Sequence, residues 1–293
     1  MPPQADAAVA ELAGAAPGRV AQPWVENAPR HRWRPRVDPA ELWSERELAL
    51  ILALKDLKVR YKQTFFGVAW ALLQPLVGVA IFTAVFGRAA HLPADGIPYA
   101  VFAYAGLAIW LYFASAVSGA AQSLVDNRDL ITKVYFPRLL APAAALLPGL
   151  VDLAVSLPVI ATFMAIWSVA PGYRLLLLPL WVLAALVTAL GAGLLLAGLN
   201  VRYRDVRFAL PYLLQVWLFA SPVVYTVSLI EGGWRYVYAL NPMATIVTGF
   251  RWSIAGGTPP GAEAAVSAGV VVVALLAGFL YFHRVERSFA DVI

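Results

Sequence analysis

Cysteine is absent from the 293 residues, which excludes a disulfide framework and thiol chemistry. Histidine is nearly absent as well. His31, His91 and His283 stand far apart in tail or loop sequence, with no metal-ligand spacing. Charged residues make up 13% of the chain, against about 25% in an ordinary soluble domain. No glycine-rich phosphate loop ending in Lys-Ser or Lys-Thr occurs, so the chain is not expected to hydrolyse nucleotide by itself. Asp152 is the only acid well inside an apolar stretch, and no second acid, His or Lys is embedded near it. A proton carrier needs such a relay. Asp152 therefore reads as a hydrogen-bonded or helix-pairing residue. No internal repeat is visible, nor an inverted pattern between the halves.

What the chain does have is apolar length. Hydrophobic residues make up 61% of it. Six stretches, 66–86, 99–121, 139–169, 175–199, 208–229 and 264–282, each approach or exceed the roughly 20 residues that a helix needs to cross a bilayer. The expectation is an all-α polytopic membrane protein with six transmembrane helices, and the net charge of +5 is no nucleic-acid signal. With six crossings, thirteen Lys and Arg fall on one side and four on the other, apart from five arginines in the N-terminal tail. The rule that basic loops stay inside then places both termini in the cytoplasm.

The segment 234–254 is apolar enough to suggest a seventh span, yet it carries Arg235, Asn241, Pro242, Thr245, Thr248, Arg251 and Ser253. Counting it would leave Arg284 and Arg287 outside. A re-entrant pair of outer half-helices between spans five and six keeps the charge rule, and non-helical backbone at that depth needs surrounding protein or water.

Residues 1–40 are rich in Ala, Pro and Arg, without the apolar core of a cleavable signal peptide, and read as a disordered cytoplasmic tail. The remainder, 41–293, is the membrane domain. Before the first span, Leu50, Leu54, Leu57 and Tyr61 recur at helical spacing, which predicts an amphipathic helix lying in the membrane surface.

Four blocks of sequence carry a family resemblance. They are DLKVRYKQTFFGVAWALLQPL at 56–76, NRDLITKVYFPR at 127–138, NVRYRDV at 200–206, and SPVVY at 221–225 paired with LNPM at 240–243. In this order they resemble the membrane subunit of polysaccharide ABC exporters, the Wzm family. The stretch before residue 41 is longer than that family leads one to expect, and nothing is carried over to it.

The resemblance implies a permease that exports polysaccharide, such as O antigen, linked to undecaprenyl diphosphate across the bacterial inner membrane. It implies a homodimer of six-span subunits bound by two copies of a separate ATPase, which holds the ATP and Mg. This chain then needs no cofactor of its own. The coupling helix falls on 122–137, so Asp126, Asn127, Arg128, Asp129, Leu130, Ile131, Lys133, Tyr135 and Phe136 become ATPase-coupling candidates. The surface helix 45–63 is placed at the ATPase interface, and the half-helices around Asn241 form a gate.

Arg60, Tyr61 and Lys62, at the end of the surface helix, are candidates to meet the lipid diphosphate, since guanidinium binds phosphate oxygens bidentately. Ordinary charge anchoring is the alternative. In the family the first and fifth spans line the channel, which makes Trp70, Gln74, Phe82, Phe86, Tyr212, Gln215, Phe219 and Tyr225 channel-lining candidates, because aromatic faces suit the C–H faces of sugars. Interface belts of Trp and Tyr are the alternative for these rings. Other cargoes of the same class are teichoic acid, a capsular polysaccharide or a drug. A membrane enzyme of lipid-sugar chemistry is the distant rival, but His91, Asp95, Glu231 and Glu263 form no acid–base pair by spacing.

Overall fold

A computed structural model describes residues 43–62, 69–133, 136–203 and 205–286, with the backbone alone for 69–71. The tail 1–40, the ring of Tyr135, the indole of Trp70 and Arg204 therefore lie outside the described residues. Within them the chain is helical, with no strand.

Helix α1 (Arg46–Lys62) opens with Glu47 in its first turn and closes with Arg60 and Lys62 in its last, both signs matching the helix dipole. It lies against α5 (Leu140–Ala144) and α6 (Leu147–Ile166). The face buried there is Leu52 and Ala53, whereas Leu50 and Leu54 of the expected apolar stripe are exposed. The stripe exists, but a second face of the helix packs against the bundle.

Helix α2 (Ala69–Phe82) runs into a π-helical segment, Thr83–Ala89, and the two give an 18-residue apolar span, Leu72–Ala89. Helix α3 (Tyr99–Asp126) starts after Pro98 and continues for 28 residues, about 42 Å at 1.5 Å per residue. It is apolar on every side and, unlike the other long apolar stretches, is enclosed by protein over most of its length. Val101 through Ala105 are wholly buried in succession. Helices α2, α6, α7 (Leu178–Arg202) and α10 (Pro242–Ala255) surround it.

Without a hydrophobic force between helices in lipid, close backbone approach through small residues holds such bundles together. A Cβ on Gly193 of α7 would stand 2.5 Å from Ala120 Cβ of α3. A Cβ on Gly191 would stand 2.8 Å from the Leu275 backbone nitrogen of α11 (Ala264–Glu286), and Gly278 of α11 faces Gly191 in return.

Five helical stretches are long and apolar enough to cross a membrane: Leu72–Ala89, Tyr99–Asp126, Leu140–Ile166, Tyr173–Arg202 and Ala264–Glu286. The expected span at 208–229 takes another form. Helix α8 is Val206–Phe219, 14 residues and about 21 Å, too short to cross the hydrocarbon layer alone. It stops before Ser221-Pro222, where proline lacks an N–H and disfavours helix in the residue ahead of it. Turns follow, then the short α9 (Trp234–Tyr238) and α10.

The Gly191–Gly278 crossing yields a prediction. Gly191→Val or Gly278→Val should cost about 1–3 kcal/mol through overpacking against backbone. In detergent this should appear as a lower melting temperature than wild type. Gly172→Ala, with nothing within 4 Å of the new Cβ, should melt like wild type.

Candidate functional site

The two ends of the bundle are built differently. At one end α1, the termini of α3, α7 and α11, and the short helix α4 (Arg128–Lys133) come together around a small apolar cluster that includes Leu52, Leu124, Ile131, Phe136, Leu194 and Phe282. Of the coupling candidates, Ile131 and Phe136 are thus turned into the bundle, and Leu130 packs partly against it. Asn127 is also buried, accepting from Lys55 Nζ at 2.6 Å and donating to the Ser123 carbonyl at 2.8 Å. Asp126, Arg128, Asp129 and Lys133 remain exposed. The loop is seated by its apolar residues and presents its charges.

Five residues after Lys55 along α1, Arg60 and Tyr61 both donate to the carboxylate of Asp152 on α6. The guanidinium takes Oδ2 and the phenol takes Oδ1. Lys62 is exposed beyond them. Burial, and then the Asp152 carboxylate that it serves, push the Tyr61 hydroxyl up to about 12, which keeps it a donor. Burial likewise raises Asp56 on the same helix, with Asp126 adding to the rise and Lys55 and Arg60 opposing it. Helix α1 is therefore tied at two points, to the α3–α4 corner and to α6.

The other end is organised by a residue that the sequence reading weighed only as one of the polar residues of segment 234–254 and as an outer-side charge. Arg251 of α10 is buried and donates to three backbone carbonyls: Phe102 at 3.1 Å, Pro222 at 2.8 Å and Val223 at 3.1 Å. Its guanidinium carbon lies 3.5 Å from the centroid of the Phe102 ring. Gly106 makes room for it, since a Cβ there would collide with the guanidinium.

Asn241, the N-cap of α10, donates to the Ala220 carbonyl at 3.0 Å and to Ser221 Oγ at 2.9 Å, and accepts from Trp217 Nε1 at 2.9 Å. These bonds gather the acceptors left when α8 stops. Asp95 binds the hydroxyls of Thr226 at 2.6 Å and Ser228 at 3.0 Å. A cavity of about 590 Å³ lies alongside, lined by Trp217, Ile230, Trp234, Val237 and Tyr238 among others. The available signal was a lone arginine, the one charged residue of this helix, because a buried cation has to be met by hydrogen-bond acceptors.

The channel candidates divide. Tyr212, Gln215 and Phe219 lie with Phe208 on one exposed face of α8, while Leu210 and Leu214 face the core. Gln74 of α2 is exposed. Phe82 and Phe86 pack edge to face on each other at 5.9 Å. Tyr225 is half-buried and shares a 2.7 Å hydrogen bond with Tyr238.

A protein-family model described as ABC-2 type transporter matches residues 47–255, from the first turn of α1 to the last residue of α10. The chain belongs to the ABC-2 type transporter membrane family. It is 32% identical over 254 residues to the O-antigen export system permease protein RfbA of Myxococcus xanthus, covering 86% of this chain and 97% of that one. It is 23% identical to the protein of the same name from Klebsiella pneumoniae, over 84% of this chain and 95% of the other. The polysialic acid transport protein KpsM of Escherichia coli is 24% identical over 70% of this chain and 80% of its own. Read with its five long apolar helices, this ABC-2 protein is a multi-pass transport subunit of the membrane.

The Arg251 cage generates a stability prediction for this ABC-2 subunit. Arg251→Met leaves buried carbonyls without donors, at about 1–3 kcal/mol each. A purified Arg251→Met variant should melt well below wild type, with Arg251→Lys between the two, because a lysine cannot reproduce the planar fork. Equal melting temperatures for all three would remove Arg251 as the tie of the broken segment.

Proposed function

We propose that the chain is the permease subunit of an ATP-driven exporter that moves undecaprenyl-diphosphate-linked polysaccharide, of the O-antigen kind, from the cytoplasm across the bacterial inner membrane. The observation that carries this reading is the likeness to the Myxococcus xanthus O-antigen permease over 86% of this chain and 97% of that one. The likeness to the polysialic acid transport protein supports a second cargo of the same class, a capsular polymer.

In this reading both termini are cytoplasmic, because the basic end of the bundle stays inside. Helix α8 and the turns after it make the fifth of six crossings, and α9 and α10 form a re-entrant outer element. Two copies of the chain assemble, each bound by one copy of a separate ATPase that holds ATP and Mg. The exposed charges of Asp126, Arg128, Asp129 and Lys133 support docking of that partner on the α4 loop.

The polymer passes along the exposed ridge Phe208, Tyr212, Gln215 and Phe219 of α8. Such rings offer wide apolar faces to successive sugars, with amide groups as polar companions. Arg60, Tyr61 and Lys62 receive the diphosphate at the inner headgroup level. The exposed Leu50 and Leu54 of α1 rest in the membrane surface beside them.

The test joins energy supply to coupling. The chain purified alone should hydrolyse no ATP, and with its ATPase in proteoliposomes it should show substrate-stimulated hydrolysis. Asp129→Lys combined with Leu130→Asp should leave membrane insertion intact and reduce that stimulation at least tenfold. Appreciable hydrolysis by the permease alone would overturn the assignment. Unchanged stimulation in the double variant would remove the α4 loop from coupling.

A further inference from the structure

The donors assigned above to the lipid diphosphate are already occupied. Arg60 and Tyr61 grip the carboxylate of Asp152, one on each oxygen. Carboxylate and phosphate both present a pair of oxygens to an arginine fork and a hydroxyl. Asp152 belongs to the same chain, 92 residues from Arg60, and a tethered ligand acts at high effective concentration. It is also the one acid well inside the apolar stretches, where an unpaired carboxylate is costly.

Resting on the reading of Arg60 and Tyr61 as diphosphate ligands, we propose that Asp152 is an internal anion that fills this site and excludes ordinary phospholipids. The reasoning is a comparison of charge. A phosphatidylglycerol headgroup carries a single phosphodiester charge, no more than the carboxylate it would have to displace, and it lacks the tether. A lipid diphosphate brings two phosphates. One takes Arg60 and Tyr61, and the other reaches the exposed Lys62. The added contact is what a single phosphate lacks. Bulk lipid far outnumbers the cargo, so selectivity here needs a competitor as well as a ligand. Once displaced, the Asp152 carboxylate faces the diphosphate with like charge and opens α6 from α1.

The experiment uses the full chain in nanodiscs and undecaprenyl diphosphate as the probe. In neutral lipid, Asp152→Asn should bind the probe about tenfold more tightly than wild type, because the competitor has lost its charge. Replacing half the lipid with phosphatidylglycerol should cancel that gain in Asp152→Asn and leave wild-type affinity unchanged. Arg60→Ala should weaken binding in both lipids, with or without Asp152→Asn.

Unchanged or weaker binding by Asp152→Asn, beside a weakened Arg60→Ala, would overturn the competitor and leave the diphosphate site standing. Wild-type affinity in Arg60→Ala would overturn the diphosphate site itself. Equal sensitivity of wild type and Asp152→Asn to phosphatidylglycerol would overturn the exclusion of phospholipids.

A second measurement keeps Asp152 in place. The chain has no cysteine, so Val59→Cys and Val151→Cys, both at exposed positions, can carry spin labels on α1 and α6. The distance between labels should lengthen with undecaprenyl diphosphate and stay constant with phosphatidylglycerol. No lengthening with bound diphosphate would overturn the displacement.

Discussion

A backbone that leaves the helix inside an apolar bundle must give its polar groups to something other than water. Here the obligation falls on Arg251. Helix α8 ends at Phe219, and the segment after it turns beneath α10 with carbonyls that no helix partner takes. Arg251 collects two of them and ties them to a third on α3, the most enclosed of the five long apolar stretches. Asn241 does the same for Ala220 and Ser221. Remove these two side chains and the carbonyls of Ala220, Pro222 and Val223 lose their side-chain donors, leaving Tyr99 on Val224 and Asp95 on Thr226 to hold the segment. With them, a short helix and a turn hold their place against α3 and α10.

The cation itself sits among carbonyls and an aromatic ring, and its hydrogen bonds reach no carboxylate. Burying a charge this way is expensive unless every donor is used in good geometry. Guanidinium suits the task because its fork is planar and fixed, so three acceptors from two segments can be met at once. Gly106 is the corresponding concession in α3.

Much of this was legible in the sequence, and the failures have a physical pattern. The long helices were readable because apolar length alone identifies them, and Asp152 was readable as a pairing residue because an isolated acid in lipid needs a partner. The end of α8 was not. Apolar character continues to Leu229, and hydropathy does not register where backbone stops being helical. The signal was Ser221-Pro222, whose carbonyl partner Arg251 lies 29 residues on. Periodicity found the apolar stripe of α1 but could not choose between two faces, since Leu52 and Ala53 make as good a contact surface as Leu50 and Leu54. That Ile131 and Phe136 are turned into the bundle was not legible either, because the residues they cluster with, Leu52, Leu194 and Phe282, are distant in sequence.

The basic end shows how a force applied outside the bundle could reach its interior without deforming its core. Close-packed interiors transmit displacement instead of absorbing it, and α3 is too enclosed to yield. In the proposed coupling, helix α1 is the element that moves. It is a rod on the surface, tied to Asn127 through Lys55 and to Asp152 through Arg60 and Tyr61, with the two ties about 7.5 Å apart along its axis. An ATPase gripping the exposed charges of α4 would pull first on the Asn127 tie, and the rod would carry that pull to α6. The second tie is ionic, so an anion can replace one of its partners. Cargo binding and ATPase movement would then act on the same short helix at two neighbouring points, and each would change the other's free energy through the strain they share.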